Sequence, residues 1–310
     1  MKVRAVMSGI IGASVVIMLA GAAGGGPLIG QDWTVRADSV MGPSPRAADV
    51  CVRRDGGQFV TWANDGLGTQ NVQYATSPDG TAWGPRQTVY TPAQVDDSCI
   101  KVVIKDGGYY MWVGPKPSPG NGGAEFVTSN DGVNWQKQSF IDDRSWYYFS
   151  VLQDGDGFVA WYTADGPHGY TRATSSNGSD WTGQGVVLQP GSSGQFDADL
   201  NSVDVVMVGA EYHMFYGARP VHSGPTRLAH ATSADGISWV KQGLVTGLES
   251  FGDSMTPSVI YDEGKLRMWF NQSDGEVYYA ESVPGPAGLL LLAIGGLALI
   301  RRRRYKQHRC

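Results

Sequence analysis

From about residue 30 to Ser282 the chain runs in short apolar stretches cut by Asp-Gly and Gly-Gly pairs. No stretch there carries a convincing 3.6-residue period. Runs such as CIKVVI (Cys99–Ile104) and YYMWV (Tyr109–Val113) have the length and the β-branched and aromatic content of strands. The pattern also repeats. DGGQFVTWA (Asp55–Ala63), DGGYYMWVG (Asp106–Gly114), DGDGFVAWYT (Asp154–Thr163), GAEYHMFYG (Gly209–Gly217) and DEGKLRMWFN (Asp262–Asn271) align on an aromatic residue. Those aromatics are Trp62, Trp112, Trp161, Phe215 and Trp269, spaced 50, 49, 54 and 54 residues apart. A second motif follows four of them: ATSPDGTAW (Ala75–Trp83), VTSNDGVNW (Val127–Trp135), ATSSNGSDW (Ala173–Trp181) and ATSADGISW (Ala231–Trp239).

A period of about 50 residues is that of a propeller blade. Each unit predicts four strands: an apolar inner strand, an Asp-Gly hairpin turn, an aromatic strand, and a third strand ending in Ala-Thr-Ser. The Ser-x-Asp-Gly turn then leads through its Trp into a fourth strand. The Trp is expected to pack between blades, so the repeat reads as architecture. The fifth unit stops at YYAES (Tyr278–Ser282) without a fourth strand, and Asp32–Val40, ahead of the first unit, can supply it. The expectation is an all-β, five-bladed β-propeller of four-stranded antiparallel blades over residues 31–282, its ring closed by an N-terminal strand so that no sheet edge stays open.

The two ends differ from this core. Residues 1–26 carry two cations, an apolar run and small residues, the layout of a secretory signal peptide; a membrane anchor is the alternative. Residues 283–310 hold Val283-Pro284-Gly285-Pro286, a charge-free apolar run to Ile300, and Arg301–Arg304. This tail resembles the PEP-CTERM sorting signal of exosortase-processed bacterial proteins, with Gly285 where that motif has Glu. The resemblance implies export to the cell envelope, an exosortase-type partner, and membrane contact only through this tail, as a transmembrane helix with its arginines on the cytoplasmic side. A plain C-terminal anchor is the alternative.

The ends hold eight of the 24 basic residues and none of the 29 acidic ones, which leaves 16 against 29, or −13, for the part between. Such a surface disfavours nucleic acid. Cys51 and Cys99 lie in a domain read as exported, where a disulfide can persist, and the sequence leaves their pairing open. No Cys/His set has metal-site spacing.

The blade motifs, Asp-Gly-x-Tyr-Tyr and Ala-Thr-Ser-x-Asp-Gly-x-x-Trp, resemble those of the furanosidase-type five-bladed propellers, the arabinanase/xylosidase and invertase glycoside hydrolases. The likeness covers about Asp49–Ser282. It implies carboxylates at the funnel mouth: a base Asp opening the first inner strand, a second Asp in a later blade, and a general-acid Glu in another. Glycoside hydrolysis uses such a pair because one group protonates the leaving oxygen while the other activates water or attacks the sugar. Asp49 stands at the base position, ten residues before Phe59. The equivalent positions before Phe158 and Tyr212 hold Tyr148 and Ser202, and no inner strand begins with Glu.

The predicted chain direction puts the inner-strand starts and the loops between second and third strands on one face. The candidate catalytic carboxylates there are Asp49, Asp97, Asp199 and Asp253. Candidate sugar contacts are Trp146 and Tyr147 as stacking platforms, with Arg144, His168, Arg219 and His222. Asp197 and Asp204 are assigned to the same face. No cofactor is called for; an axial structural calcium stays open, without a legible ligand set. The expected partner is a polysaccharide or oligosaccharide, and the expected state a monomer. Two functions compete: a glycoside hydrolase with a carboxylate pair at the mouth, or a non-catalytic carbohydrate-binding or surface-display propeller without the general-acid Glu. A third reading, a protein-interaction scaffold, predicts large apolar patches that the loops do not carry.

Overall fold

The computed structural model describes residues 29–41, 47–65, 71–93, 99–114, 123–142, 146, 148–163, 169–221, 224–272 and 274–283. The signal-peptide and sorting-tail readings fall outside these residues. Every element within them is a strand. After β1 (Trp33–Val35), blade 1 is β2 (Ala48–Asp55), β3 (Gln58–Asn64), β4 (Val72–Ser77) and β5 (Gln87–Tyr90). Blade 2 is β6 (Cys99–Lys105), β7 (Gly108–Gly114), β8 (Ala124–Ser129) and β9 (Gln136–Ile141). Blade 3 is β10 (Phe149–Asp154), β11 (Gly157–Thr163), β12 (Tyr170–Ser175) and β13 (Thr182–Leu188). Blade 4 is β14 (Asp199–Val208), β15 (Glu211–Arg219), β16 (Arg227–Ser233) and β17 (Val240–Leu244). Blade 5 begins with β18 (Ser254–Asp262), β19 (Lys265–Gln272) and β20 (Val277–Ser282).

Blade 5 takes its outer strand from the start of the chain, in the order β1-β20-β19-β18, with Trp33 opposite Ser282 and Val35 opposite Ala280. The closing strand lies within the expected segment. The inner-strand turns are two-residue loops such as Asp106-Gly107 and Glu263-Gly264, both residues at positive φ, the twist that suits a hairpin.

The second repeat acts as a lock between blades. Ser77 Oγ accepts from the Gly80 amide at 2.9 Å, and Asp79 Oδ1 accepts from Thr81 and Ala82 at 2.8 Å. The turn thereby presents the Gly80 carbonyl to the indole of Trp269 in blade 5, which donates to it at 2.7 Å. The same bond joins Trp62 to Gly132, Trp112 to Gly178 and Trp161 to Gly236, at 2.8–2.9 Å. A side chain at Gly80 is barred twice: its φ is +80°, and a Cβ would sit 2.7 Å from the Trp269 ring.

The fifth lock is written at the other end of the chain. Gly30 and Trp33 keep the Gly-x-x-Trp spacing, with Gly30 at φ +87° and the Trp33 indole donating to the Gly30 carbonyl at 2.8 Å. Trp135, Trp181 and Trp239 bond their own turns in the same way. Phe215 of blade 4 faces this copy edge to ring against Trp33, centroids 5.4 Å apart. Having no N–H, it makes the lock an apolar one.

Candidate functional site

The five inner strands surround the axis, and one residue from each start lines a small pocket at the mouth, open to solvent and with room inside for about one water: Asp49, Cys99, Tyr148, Ser202 and Thr256. Each stands 13 residues before the aromatic of its blade. Asp49, Tyr148 and Ser202 thus occupy the positions the sequence singled out. Thr256, Cys99 and the cavity's Lys101 were not read as site residues, although the constant spacing marks the first two.

Two cup residues are held in an unusual backbone. Asp49 has φ 46° and Thr256 φ 38°, the left-handed region that side chains seldom enter, least of all a β-branched one. Both sit where strand register slips, between Ala48 and Cys51 and between Met255 and Pro257. Bulges of this kind re-aim side chains, and strain persists where the surroundings impose it. Asn271 is the brace here. Its amide donates to the Ala47 carbonyl at 2.6 Å, and its Oδ1 accepts from Thr256 Oγ1 at 3.0 Å, tying blade 5 to blade 1 beside Asp49. A third bulge, between Leu200 and Val203, carries Ser202; the Tyr170 hydroxyl donates to the carbonyls of Asn201 and Ser202 at 2.7 and 3.1 Å.

Two residues deeper lies a polar belt of Cys51, Lys101, Ser150, Asp204 and Ser258. Inner-strand amides at an open edge need acceptors, and this belt supplies them from the preceding blade. Val52 N donates to Ser258 Oγ, Val102 N to Cys51 Sγ, Val205 N to Ser150 Oγ and Val259 N to Asp204 Oδ2, at 2.7–3.2 Å. Lys101 has no acceptor to give; it reaches instead to Asp204 Oδ1 at 3.0 Å, and Ser150 Oγ donates to the same oxygen at 3.0 Å. Burial works against the charge on Lys101, and the Asp204 carboxylate overrides it, so the pKa lies above the ordinary lysine value. The cup therefore ends on a neutralised ion pair. Asp204, assigned to the mouth by sequence, is 1% exposed and structural. Among the described residues no group of three His, Cys, Asp or Glu could hold a metal.

The other candidates scatter. Asp199 opens β14 opposite Arg219, whose Nε is 3.9 Å from its carboxylate, and neither lines the cup. Asp253 accepts the Thr226 amide at 2.6 Å, also away from the cup. Asp197 pairs with Lys241 on the outer strand of blade 4. Trp146 is 1% exposed, stacked on Tyr162 and packed by Phe149 and Trp181 with centroids 5.0–5.2 Å apart; its ring faces are covered, so it is core and not an open platform. Asp97, Arg144, Tyr147, His168 and His222 lie outside the described residues.

The thiols of Cys51 and Cys99 are free and buried. Burial pushes the Cys99 thiol up to about 12, which leaves it protonated and a poor nucleophile. The cup then offers one carboxylate, one phenol, one thiol and two hydroxyls. That set offers hydrogen bonds to a polyhydroxylated ligand resting at the rim of the pocket, but within the described residues it does not supply an acid and a base together. Away from the mouth, inside blade 4, His213 Nδ1 and His230 Nε2 are 3.0 Å apart, and His230 stacks on Phe215 at 4.7 Å. Burial, then the neighbouring His213, lowers the His230 pKa to about 3.

No family model and no curated protein sequence matches the chain. Solved structures do. A glycosyl hydrolase from Bacteroides ovatus superimposes with a TM-score of 0.62 at 16% identity, over 76% of this chain and 84% of that one. The GH43_1 enzyme from Xanthomonas citri, solved with xylotriose, gives 0.63 at 12% identity, over 80% and 90%. A GH32 β-fructofuranosidase from Bombyx mori gives 0.60 at 13% identity, over 78% and 62%. At such identities the likeness is one of fold: this chain is a five-bladed propeller of the kind that glycoside hydrolases use.

Proposed function

We propose that this propeller binds a glycan at the axial cup without hydrolysing it, with Asp49 as the principal polar contact and Tyr148, Ser202 and Thr256 around it. The observation that carries this reading is that the five equivalent cup positions hold a single carboxylate. Asp199 and Asp253 do not join Asp49 there. Sugar-acting propellers such as the Xanthomonas citri enzyme with xylotriose support a saccharide as the ligand class. The reading includes export to the envelope, exosortase-type processing of the tail, and a monomeric ring. Hydrolysis is the second reading, favoured by the strained, bulge-aimed backbone of Asp49.

The test is made with residues 29–283 and a panel of plant, algal and microbial polysaccharides. One of them is expected to be retained with no sugar released. Asp49→Asn should weaken that retention about tenfold or more, since a hydrogen bond to a charged group contributes about 1.5–3 kcal/mol. Release of sugars by the wild type, lost in Asp49→Asn, would replace binding by hydrolysis.

A further inference from the structure

The two ends of the described chain meet. Val283 N donates to the Asp32 carbonyl at 2.8 Å, directly beyond the Trp33–Ser282 pair. Their position on the ring follows from strand direction. The cup is lined by the starts of the inner strands, so each inner strand runs from the mouth to the opposite face. Third strands run parallel to the inner ones. β20, the third strand of blade 5, therefore ends on the face opposite the cup, and β1 begins there.

The sequence beyond Val283 limits how far the ring can move from whatever holds the tail. Only Pro284, Gly285, Pro286, Ala287 and Gly288 separate Val283 from the leucine run Leu289–Leu292, and Arg301–Arg304 close the apolar stretch. Six residue steps span at most roughly 20 Å when fully extended. Two of the five intervening residues are prolines. That face presents carboxylates at its turns: Asp79 and Asp235, whose carboxyls are held at about 2 by the backbone amides they cap, and Asp131, held lower still in the same way.

We propose that, in the chain with its tail in a bilayer, the face opposite the cup is the membrane-proximal face and the cup opens away from the lipid. This rests on the reading of residues 283–310 as a membrane segment and is independent of what the cup binds. The short tether, leaving from that face, fixes the orientation; a charged surface lying flat on the lipid does not.

The experiment uses the full chain with Cys310→Ser, so that buried Cys51 and Cys99 are the remaining native thiols. A single donor dye is placed on the opposite face through Ser176→Cys, with Ala82→Cys as a second site there, or on the mouth side through Ala93→Cys; all three positions are exposed. The protein is reconstituted into phosphatidylcholine vesicles bearing a headgroup acceptor. β20 alone spans about 20 Å at 3.3 Å per residue, enough to separate the two faces by energy transfer. Both far-face labels should transfer at least twice as efficiently as the mouth label. Equal transfer, or more from Ala93→Cys, overturns the orientation. Failure of the protein to float with the vesicles overturns the tether and the proposal with it, while leaving glycan retention by residues 29–283 untouched.

Discussion

His230 shows what a single buried group contributes. It is wholly buried against Phe215 and His213, and its pKa falls to about 3 in the folded chain. In the unfolded chain it titrates near 6.5. Above that value the two states bind protons alike. As the pH falls from about 6.5 towards 3, the unfolded chain takes up a proton that the folded one refuses, so stability is lost at up to about 1.4 kcal/mol per pH unit from this residue. Urea unfolding at pH 7 and pH 5 checks it: His230→Gln should lose less stability between the two than the wild type. Equal losses would mean that other groups set the acid sensitivity. At the same scale, the sequence was uneven about the site. Asp49 was legible because a repeat fixes its place. The same spacing fixes the place of Thr256 but not its bulge, and nothing local signals that the Lys101 ammonium crosses the axis. Trp146 misled, since an aromatic near the mouth looks the same in a string whether its ring is open or enclosed by Tyr162, Phe149 and Trp181.

Among elements, the indole-to-glycine lock can be weighed against the blade that lacks it. Trp112→Phe keeps a ring between blades 2 and 3 but deletes the bond from Nε1 to the Gly178 carbonyl, which still accepts from Trp181 at 3.0 Å. The expected cost is about 1 kcal/mol, or roughly 2–4 °C in thermal denaturation for a domain of this size. Phe215 is the natural precedent. A drop several times larger would show that the ring, through its volume, carries the lock. The four strands of each blade were readable because turn, strand and Trp are written within one 50-residue unit. The closing copy escaped notice because LIGQDW keeps only the Gly and the Trp of the motif; the Ser and Asp that make the other four conspicuous are gone. Geometry preserved what spelling did not.

The whole molecule is a ring held shut by the pairing of its first strand with its last. A chain beginning at Arg36 loses β1 and the Gly30–Trp33 lid, uncovers Phe215, Leu266 and the edge of β20, and leaves an unpaired strand exposed. Such a chain should unfold at lower urea in a broadened transition and self-associate, which sedimentation and urea titration would record. Unchanged cooperativity would mean that its contacts with blades 4 and 1 hold blade 5 without its outer strand.

The same pairing sets an order of events in time. Neighbouring strands within a blade meet after a few residues of intervening chain, whereas Trp33 and Ser282 must find each other across about 250 residues, at a closure entropy that grows with the logarithm of that length. Contacts of such long range form late. A chain emerging end first can therefore finish four blades while it is still being delivered, but it cannot become a ring until its last strand has arrived, and its first strand must wait unpaired until then.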